Sequence, residues 1–223
     1  MTDTPHPATH RQGPSPTAHQ PSAGGDHEDE LVVRPAADTD RAAVGRVLAE
    51  GFPEKFGPIF GQDRERTARI LADLPPTGTV YVAQRAGQIV GTATLVLEPP
   101  PPPVLWPVLR RRLSVWESLR ALLLLTSLGS SSPDAATGVI EAVAVLPQAR
   151  GRGVGRALVT AAMAAARRAG RTRVALYVVE GNNAAVRLYA SLGFRVVRRH
   201  RLLWQRWLFG TRRILYMVAH LPP

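Results

Sequence analysis

The sequence predicts an α/β protein with helices packed on a mixed β-sheet, and two observations lead to that class. With 223 residues, 45% of them apolar and 20% charged, the chain is long enough for one substantial core plus tails or an insertion. From residue 138 onward, short apolar runs alternate with helical patterns, which is typical of sheets whose strands are joined by helices. The absence of cysteine excludes disulfides, thiolate metal sites and a cysteine nucleophile.

The first part of the chain contains no signal for export or for membrane insertion. Residues 1–30 lack the apolar segment of a signal peptide, and no apolar run approaches the roughly 18 residues of a membrane span. We therefore expect a cytoplasmic protein. Residues 1–30 are rich in Pro, His, Thr, Ser and Gly, which predicts a disordered tail. Their histidines lack metal-ligand spacing, so no metal is expected there.

Apolar periodicity and turn residues predict the elements that follow. In the first half these are a strand (31–34), a helix capped by Asp38 or Asp40, a Gly- and Pro-rich loop (51–58), a second helix (64–74) and a hairpin (79–83 with 89–96). Five prolines then predict a stiff spacer (99–103) before an inserted segment (104–137), which contains one helix (114–128) and a loop (129–133). The remaining elements are four strands (139–146, 173–179, 194–199, 213–219) and two helices (154–169, 184–192).

The charge of the chain is concentrated in its last third. The net charge is +11, and residues 150–223 contain fifteen arginines but a single acidic residue, Glu180. Such a segment indicates either an anionic partner or a solvated basic face. No helix-turn-helix, zinc or stacking-aromatic motif accompanies the arginines, so no nucleic-acid partner is expected.

A glycine-rich turn between a predicted strand and a predicted helix is the most informative segment of the chain. Its sequence runs from Arg150 through Gly151, Gly153 and Gly155 to Arg156. A turn of this kind directs unpaired backbone N–H groups toward an anion at the positive end of the helix dipole. A Walker A phosphate loop would require Gly-Lys-Ser/Thr, which is absent, and the glycine spacing differs from the dinucleotide fingerprint.

Two motifs resemble the GNAT superfamily of acyl-CoA-dependent N-acyltransferases. Arg150-x-x-Gly153-x-Gly155, after a Val-Ala-Val-x-Pro strand, resembles the pyrophosphate-binding motif of that family. Residues 182–194 resemble its later motif, Asn-x-x-Ala-x-x-Leu-Tyr-x-x-x-Gly-Phe. The resemblance implies a GNAT-type mixed sheet of six to seven strands flanked by helices. The N-acetyltransferase domain would span residues 31–223, with a Pro-rich and helical insertion (98–137) between the third and fourth strands.

The resemblance also implies an activity and a set of site residues. The activity is transfer of an acetyl group from acetyl-CoA to an amine by direct attack, with no metal. The backbone of Val143, Ala144 and Val145 would pair with the pantetheine arm, and the Val143 N–H could polarise the thioester carbonyl. The pyrophosphate cradle would consist of Arg150, Gly151, Arg152, Gly153, Val154, Gly155 and Arg156. Asn182 would contact the cofactor, cap a helix or do both, and Tyr189 would be the general acid or a buried core residue.

Glu141 is the first choice for the general base. The alternative is that its carboxylate has no catalytic role. Tyr177 stands where relatives resembling the ribosomal-protein alanine acetyltransferase carry a catalytic Glu, which argues against a protein N-terminus as acceptor. The expected partner is therefore a small-molecule or peptide amine. A non-catalytic acyl-CoA-binding module on the same fold is the rival interpretation.

The predicted helix of the inserted segment has an apolar face formed by Val115, Leu119, Leu122 and Leu123, with Trp116 at its flank. Basic residues precede this helix, as in helices that lie on membrane surfaces. We favour a helix that packs over the substrate mouth or into a homodimer interface over one that lies on a membrane. Its position between the third and fourth strands predicts a role in substrate choice.

Overall fold

A computed structural model gives the structure of the protein and describes residues 2, 30–99, 104–127, 134–201 and 213–222. Nearly all of the predicted tail (1–30), most of the proline spacer (99–103) and the predicted loop (129–133) lie outside these residues. Seven strands are described: β1 (Val32–Pro35), β2 (Thr79–Arg85), β3 (Gln88–Val96), β4 (Thr137–Val145), β5 (Arg173–Val179), β6 (Arg195–Arg201) and β7 (Arg213–His220). The α-helices are α1 (Arg41–Gly51), α2 (Pro53–Phe60), α3 (Arg64–Asp73), α4 (Leu105–Arg110), α5 (Val115–Ser127), α6 (Val154–Arg168) and α7 (Asn183–Ser191).

The strands form one mixed sheet in the order β1-β2-β3-β4-β5-β7-β6. Neighbouring strands are antiparallel except β4 and β5, which are parallel and are joined by α6. A parallel pair requires such a crossover, whereas the antiparallel β2–β3 pair needs only the short turn at Ala86 and Gly87. The predicted α/β class with a mixed sheet is confirmed.

Apolar side chains cover both faces of the sheet. On the α6 face, which is the side covered by α6 and α7, Ala83 and Ile140 pack with Leu158. On the α1 face, the opposite side, Val82 packs with Val47 of α1. Consecutive residues of β2 thus point to opposite faces, as strand geometry requires, and the sheet is buried as a central layer.

The loop predicted over residues 51–58 is wrong, because most of it is the helix α2. Pro53 occupies the first turn, where its missing N–H costs nothing, and Phe56, Ile59 and Phe60 form a fully buried stripe at helical spacing. The rings of Phe56 and Phe60 stack at 6.1 Å. Burial of these rings outweighs the turn preference of the glycine and prolines.

Two helices, α4 and α5, lie between β3 and β4, where we predicted one. Helix α5 packs inward through Ser118, Ala121 and Leu124. The apolar face predicted from Val115, Leu119 and their neighbours is largely exposed, and Trp116 is 82% exposed. Helix α5 contacts α2, and Arg120 of α5 donates a hydrogen bond to the Ile59 carbonyl at 3.3 Å.

The predicted capping of α1 by Asp38 or Asp40 is also wrong. Asp40 stands at the N-cap position, but its carboxylate does not bond to the first turn of α1. Instead it accepts hydrogen bonds from the backbone N–H of Ala37 at 2.7 Å and from Arg34 of β1 at 2.6 and 3.1 Å. A charged partner competes successfully with the helix N-terminus, because charge-assisted bonds are the stronger ones.

Candidate active site

The two parallel strands separate halfway along their length and leave a gap in the sheet. Within the described residues, β4 and β5 pair only from Thr137 with Arg173 to Ile140 with Leu176. Beyond that point β4 continues along β3, and β5 continues along β7. The facing edges in the gap, residues 141–145 and 177–179, therefore do not pair with each other and leave room for an extended ligand, although the Val145 carbonyl accepts a hydrogen bond from Arg150 and the Val179 carbonyl accepts one from the Asn182 N–H.

A β-bulge lies at the start of this gap. Thr94 pairs with Glu141 and Thr92 pairs with Ala144, so two steps on β3 face three steps on β4. Ala142 has φ = 51°, a left-handed conformation that is uncommon for a residue other than glycine. The extra residue reverses the side-chain alternation, since Ile140 faces the α6 face whereas Ala144 faces the α1 face.

The bulge also separates the predicted site residues onto two sides of the sheet. Val143 and Val145 pack against the cluster on the α6 face, together with Tyr189. Glu141 pairs with Thr94, which lies between two residues of the α6-face cluster and therefore points to the α1 face. Val143, Val145 and Tyr189 thus lie on the α6 face, whereas Ala144 and Glu141 lie on the α1 face.

The glycine-rich turn begins where β4 ends. After a 3₁₀ turn over Pro147–Ala149, the chain passes through Gly151 and Gly153, with φ of 73° and 79°, into α6. Within the described residues, no backbone N–H from 151 to 156 donates a hydrogen bond to the protein, and the first helical bond is from Ala157 to Gly153. A Cβ built on Gly151 or Gly153 has no atom within 4 Å, so the turn faces open space. Six consecutive free donors in a turn that is open at Gly151 and Gly153 suit an anion.

The third glycine of the motif has a different role. A Cβ on Gly155 would lie 3.3 Å from Leu188 Cδ2 of α7 and 3.8 Å from Val145 Cγ2 of β4. Gly155 therefore allows α6 to pack closely against α7 and β4, and Val154 beside it is buried. Its contribution to the site is packing, whereas Gly151 and Gly153 keep the cradle open.

The three arginines of the motif differ in their partners. Arg150 donates from Nε to the Val145 carbonyl at 3.1 Å, which shows that this carbonyl points away from β3 into the gap. Arg156 donates to the Ser191 hydroxyl of α7 at 2.8 Å. Arg152 is exposed and has no hydrogen bond or ion pair within the described ranges.

The two predicted residues near α7 are placed differently. Asn182 is exposed, and its Oδ1 accepts a hydrogen bond from the Ala185 N–H at 3.2 Å, so it caps α7. Tyr189 is 7% exposed and lies 5.9 Å from the Phe194 ring, between centroids. Burial raises the pKa of Tyr189 to about 12, because the phenolate would be poorly solvated.

On the α1 face, Glu141 has neighbours that the sequence did not reveal. Its Oε2 accepts a hydrogen bond from the Thr77 hydroxyl at 2.9 Å. Lys55 of α2 interacts with it electrostatically, and burial lowers the pKa of Lys55 while Glu141 opposes that shift. The sequence offered one signal for Lys55, its being the only lysine, and none for Thr77.

Tyr177 lies on β5 at the first position beyond the last β4–β5 pair. It is 49% exposed, and its ring lies 5.0 Å from that of Tyr216 and 6.0 Å from that of His200, between centroids. The position at which some relatives would carry a carboxylate is therefore part of an aromatic cluster in this chain.

Comparison with known proteins identifies the family. The family model described as the acetyltransferase (GNAT) family matches residues 46–194. The chain belongs to this family. Among solved structures, a GCN5-related N-acetyltransferase from Kribbella flavida superimposes with a TM-score of 0.55 at 25% identity, covering 86% of this chain and 98% of that one. A Salmonella typhimurium protein solved with its cofactor acetyl-CoA gives a TM-score of 0.53 at 20% identity, covering 86% and 94%.

Curated relatives match over shorter stretches. Mycothiol acetyltransferase from Thermobispora bispora is 52% identical over 61 residues, which is 27% of this chain and 21% of that protein. The enzyme of the same name from Beutenbergia cavernae is 50% identical over 78 residues, which is 34% of this chain and 26% of that protein. The alignments thus span about a quarter of the length of these relatives.

Two features are absent from the described residues. None of the helices there combines the length and the apolar character that a membrane crossing requires. In the same part of the chain, no group of three or more His, Cys, Asp or Glu side chains is arranged to hold a metal ion.

Proposed function

We propose that the protein is an N-acetyltransferase that transfers the acetyl group of acetyl-CoA to an amine by direct attack. The observation that carries this proposal is the gap between β4 and β5, which ends at six free backbone N–H groups. An extended chain that ends in a pyrophosphate fits this combination of strand edge and anion cradle. Membership in the GNAT family supports the same cosubstrate, and the Salmonella structure is of a protein with acetyl-CoA as its cofactor.

In this proposal the cradle from Gly151 to Arg156 binds the pyrophosphate, and Arg150 and Arg152 add positive charge beside it. The bond from Arg150 to the Val145 carbonyl would break when the pantetheine arm pairs with that carbonyl. Arg150 would then be free to turn toward a phosphate. The cosubstrate fits the residues present, because a Cβ at Gly151 or Gly153 would project into the space that the phosphates need.

The backbone of β4 is proposed to orient the thioester. The Val145 carbonyl points into the gap, and the two-residue repeat of a strand puts the Val143 N–H on the same edge. An N–H at that position can donate to the thioester oxygen as negative charge develops in the transition state. Ala144 supports the strand from the α1 face, and the free amide N–H₂ of Asn182 is available to the pantetheine arm.

Tyr189 is the proposed acid for the departing thiolate. Its raised pKa keeps the hydroxyl protonated throughout the physiological range, which is the form that an acid requires. A thiol with a pKa of about 8.5 is a stronger acid than this phenol, so full proton transfer is uphill. Donation of a hydrogen bond to the thiolate requires no such transfer and stabilises the same developing charge.

Glu141 is the proposed base, acting on the acceptor ammonium directly or through one water. Its position on the α1 face puts it opposite Tyr189 and the side chains of Val143 and Val145, on the side where α2 and α5 would form the acceptor walls. The acceptor is proposed to be a small-molecule or peptide amine. The relatives named mycothiol acetyltransferase agree with a small-molecule acceptor, and Tyr177 argues against a protein N-terminus.

The test is a screen for CoA release with amines, amino acids, peptides and aminoglycoside-type antibiotics, run on the wild type and on Tyr189→Phe. We expect Tyr189→Phe to lower turnover by about a hundredfold as a general acid, with acetyl-CoA affinity nearly unchanged. Unchanged turnover would remove the acid role. Steady CoA release with any amine excludes the rival interpretation, a non-catalytic acyl-CoA-binding module.

A separate measurement tests the cradle. Gly153→Glu fills the open space in front of the free N–H groups and adds a negative charge beside the phosphates. We expect isothermal titration calorimetry to detect no acetyl-CoA binding to this variant. Retained binding would refute the site.

A further inference from the structure

Lys55 is the only lysine among the 28 basic side chains of Lys and Arg type. At the other positions the chain uses arginine, whose guanidinium remains protonated at any physiological pH. A lysine amine, in contrast, becomes neutral and nucleophilic when its ammonium form is desolvated. The environment of Lys55 therefore decides whether it can do chemistry that the arginines cannot.

Lys55 lies close to the β-bulge on the α1 face. Four residues before it, at the end of α1, is Gly51, where a Cβ would lie 2.8 Å from the Ala144 Cβ. Its Nζ is 5.7 Å from the ring centroid of Phe52 and 5.3 Å from that of Phe56. Phe52 packs against the apolar cluster that contains Ala144. The amine is thus held on the side of β4 from which an acceptor would approach the gap.

The surroundings of this amine are apolar on one side and acidic on the other. Within the described ranges its Nζ forms no hydrogen bond and no close ion pair, although it lies within electrostatic range of Glu141. Burial lowers the pKa of Lys55, with the Glu141 charge as the opposing influence. Two aromatic rings and one carboxylate together provide what an amine nucleophile needs, which is a desolvated nitrogen and a proton acceptor.

We propose that Lys55 is a self-acetylation site, which takes the acetyl group of acetyl-CoA when no acceptor occupies the α1 face. This inference rests on the proposed function, because it uses the same cosubstrate in the same gap. Acetylation would remove the positive charge and the nucleophile of Lys55 and would fill part of the space beside Glu141. The unmodified chain would then be the form that is open to an acceptor.

The proposed step transfers the acetyl group directly from the sulfur of CoA to the nitrogen of Lys55. The Nζ lone pair of neutral Lys55 forms the new C–N bond to the acetyl carbonyl carbon, and the C–S bond breaks. Nζ loses one proton, which Glu141 accepts and then returns to solvent. The departing thiolate accepts a hydrogen bond from the Tyr189 hydroxyl and takes its proton from solvent to become the free thiol. The products are an ε-acetamide on Lys55 and CoA.

The experiment incubates the full chain with isotopically labelled acetyl-CoA and no acceptor, followed by peptide mapping by mass spectrometry. Because the chain has a single lysine, only one peptide can carry a labelled ε-amine. We expect labelling of Lys55 about tenfold or more faster than in Gly153→Glu, since the cradle holds the acetyl group near the amine only in the wild type. Lys55→Arg keeps the positive charge and should carry no label at this position.

A matched pair of substitutions tests the role of the carboxylate. Glu141→Gln removes the proton acceptor and should slow labelling, whereas Glu54→Gln, which removes the exposed carboxylate next to Lys55 in sequence, should not. Acetyl-CoA binding without label on Lys55, or equal labelling of the wild type and Gly153→Glu, would overturn the inference and leave the proposed function intact. A wild-type chain that does not bind acetyl-CoA by calorimetry would overturn both.

Discussion

The two ends of α6 offer a matched comparison that isolates the cradle. Gly153 precedes the first residue of α6 and Gly170 follows its last turn, with φ of 79° and 75° respectively. A Cβ on either glycine would have no atom within 4 Å. Gly153→Ala and Gly170→Ala therefore both put an alanine at a positive φ without a clash. Only Gly153→Ala also puts a methyl group in front of the free N–H groups.

The two substitutions should destabilise the fold to the same small extent. An L-residue in a left-handed conformation costs about 1–2 kcal/mol. Replacing glycine also reduces the conformational freedom of the unfolded chain, which favours the folded state by about 0.4–1 kcal/mol. We expect each variant to lose about 1 kcal/mol of unfolding free energy in urea titrations, which is a decrease in Tm of about 2–4 °C for a domain of this size.

The acetyl-CoA affinities of the two variants should differ. A Cβ at Gly153 would displace the phosphates from at least one N–H donor, and a hydrogen bond to a charged group contributes about 1.5–3 kcal/mol. Calorimetry should therefore give a Kd at least about tenfold higher for Gly153→Ala than for Gly170→Ala, whose affinity should match that of the wild type. Equal affinities in the two variants would refute the cradle, and unequal stabilities would refute the conformational reasoning.

Three further predictions concern stability. The hydrogen bond from Arg34, and after it that from the Ala37 N–H, holds the pKa of Asp40 below its ordinary 3.8. The ionised carboxylate therefore stabilises the fold fully above pH 3.8, and this stabilisation is lost as the pH falls through the lowered pKa. Asp40→Asn should cost about 2 kcal/mol at neutral pH, and urea titrations should find no difference from the wild type in strong acid. Asn182→Ala should lower the free energy of unfolding by about 1 kcal/mol, because the cap of α7 is lost. Asn182→Ser should retain most of that stability, and thermal unfolding compares the two variants. Gly91→Ala should lower the free energy of unfolding by about 1–3 kcal/mol, because the new Cβ would lie 2.8 Å from Val154 Cγ1. Gly181→Ala is the control, since its Cβ would have no atom within 4 Å, and this variant should unfold like the wild type.

Local patterns predicted the elements whose apolar periodicity agrees with the face that they bury. The alternating hairpin of β2 and β3, the apolar stripe of α6 and the strand β5 were each expected within a few residues of their observed positions. The failure at α2 has a tertiary cause, since its glycine and prolines favour a turn until Phe56, Ile59 and Phe60 find a core. The same holds for α5, which buries Ser118, Ala121 and Leu124, a face less apolar than the one it exposes.

The sequence predicted the glycine-rich turn because its glycines and arginines are contiguous. It did not predict the bulge, since residues 139–145 are an apolar run with a single acid and give no sign of a change in alternation. Nor could it predict that Lys55 lies near Glu141, because that proximity depends on α2 being a helix and on how closely Gly51 approaches β4. Contacts between distant segments require the packed structure.

The extra residue at Ala142 changes the backbone of β4 and not the faces of its side chains. Thr94 pairs with Glu141 and Thr92 with Ala144, so deletion of Ala142 would leave two steps on each strand. Ala144 would then keep its place beside Gly51, where a Cβ would lie 2.8 Å from the Ala144 Cβ. Packing on the two faces therefore does not require the extra residue. Its effect is on the strand edge where β4 leaves β5, and a chain without Ala142 should keep its core and lose the local shape of that edge.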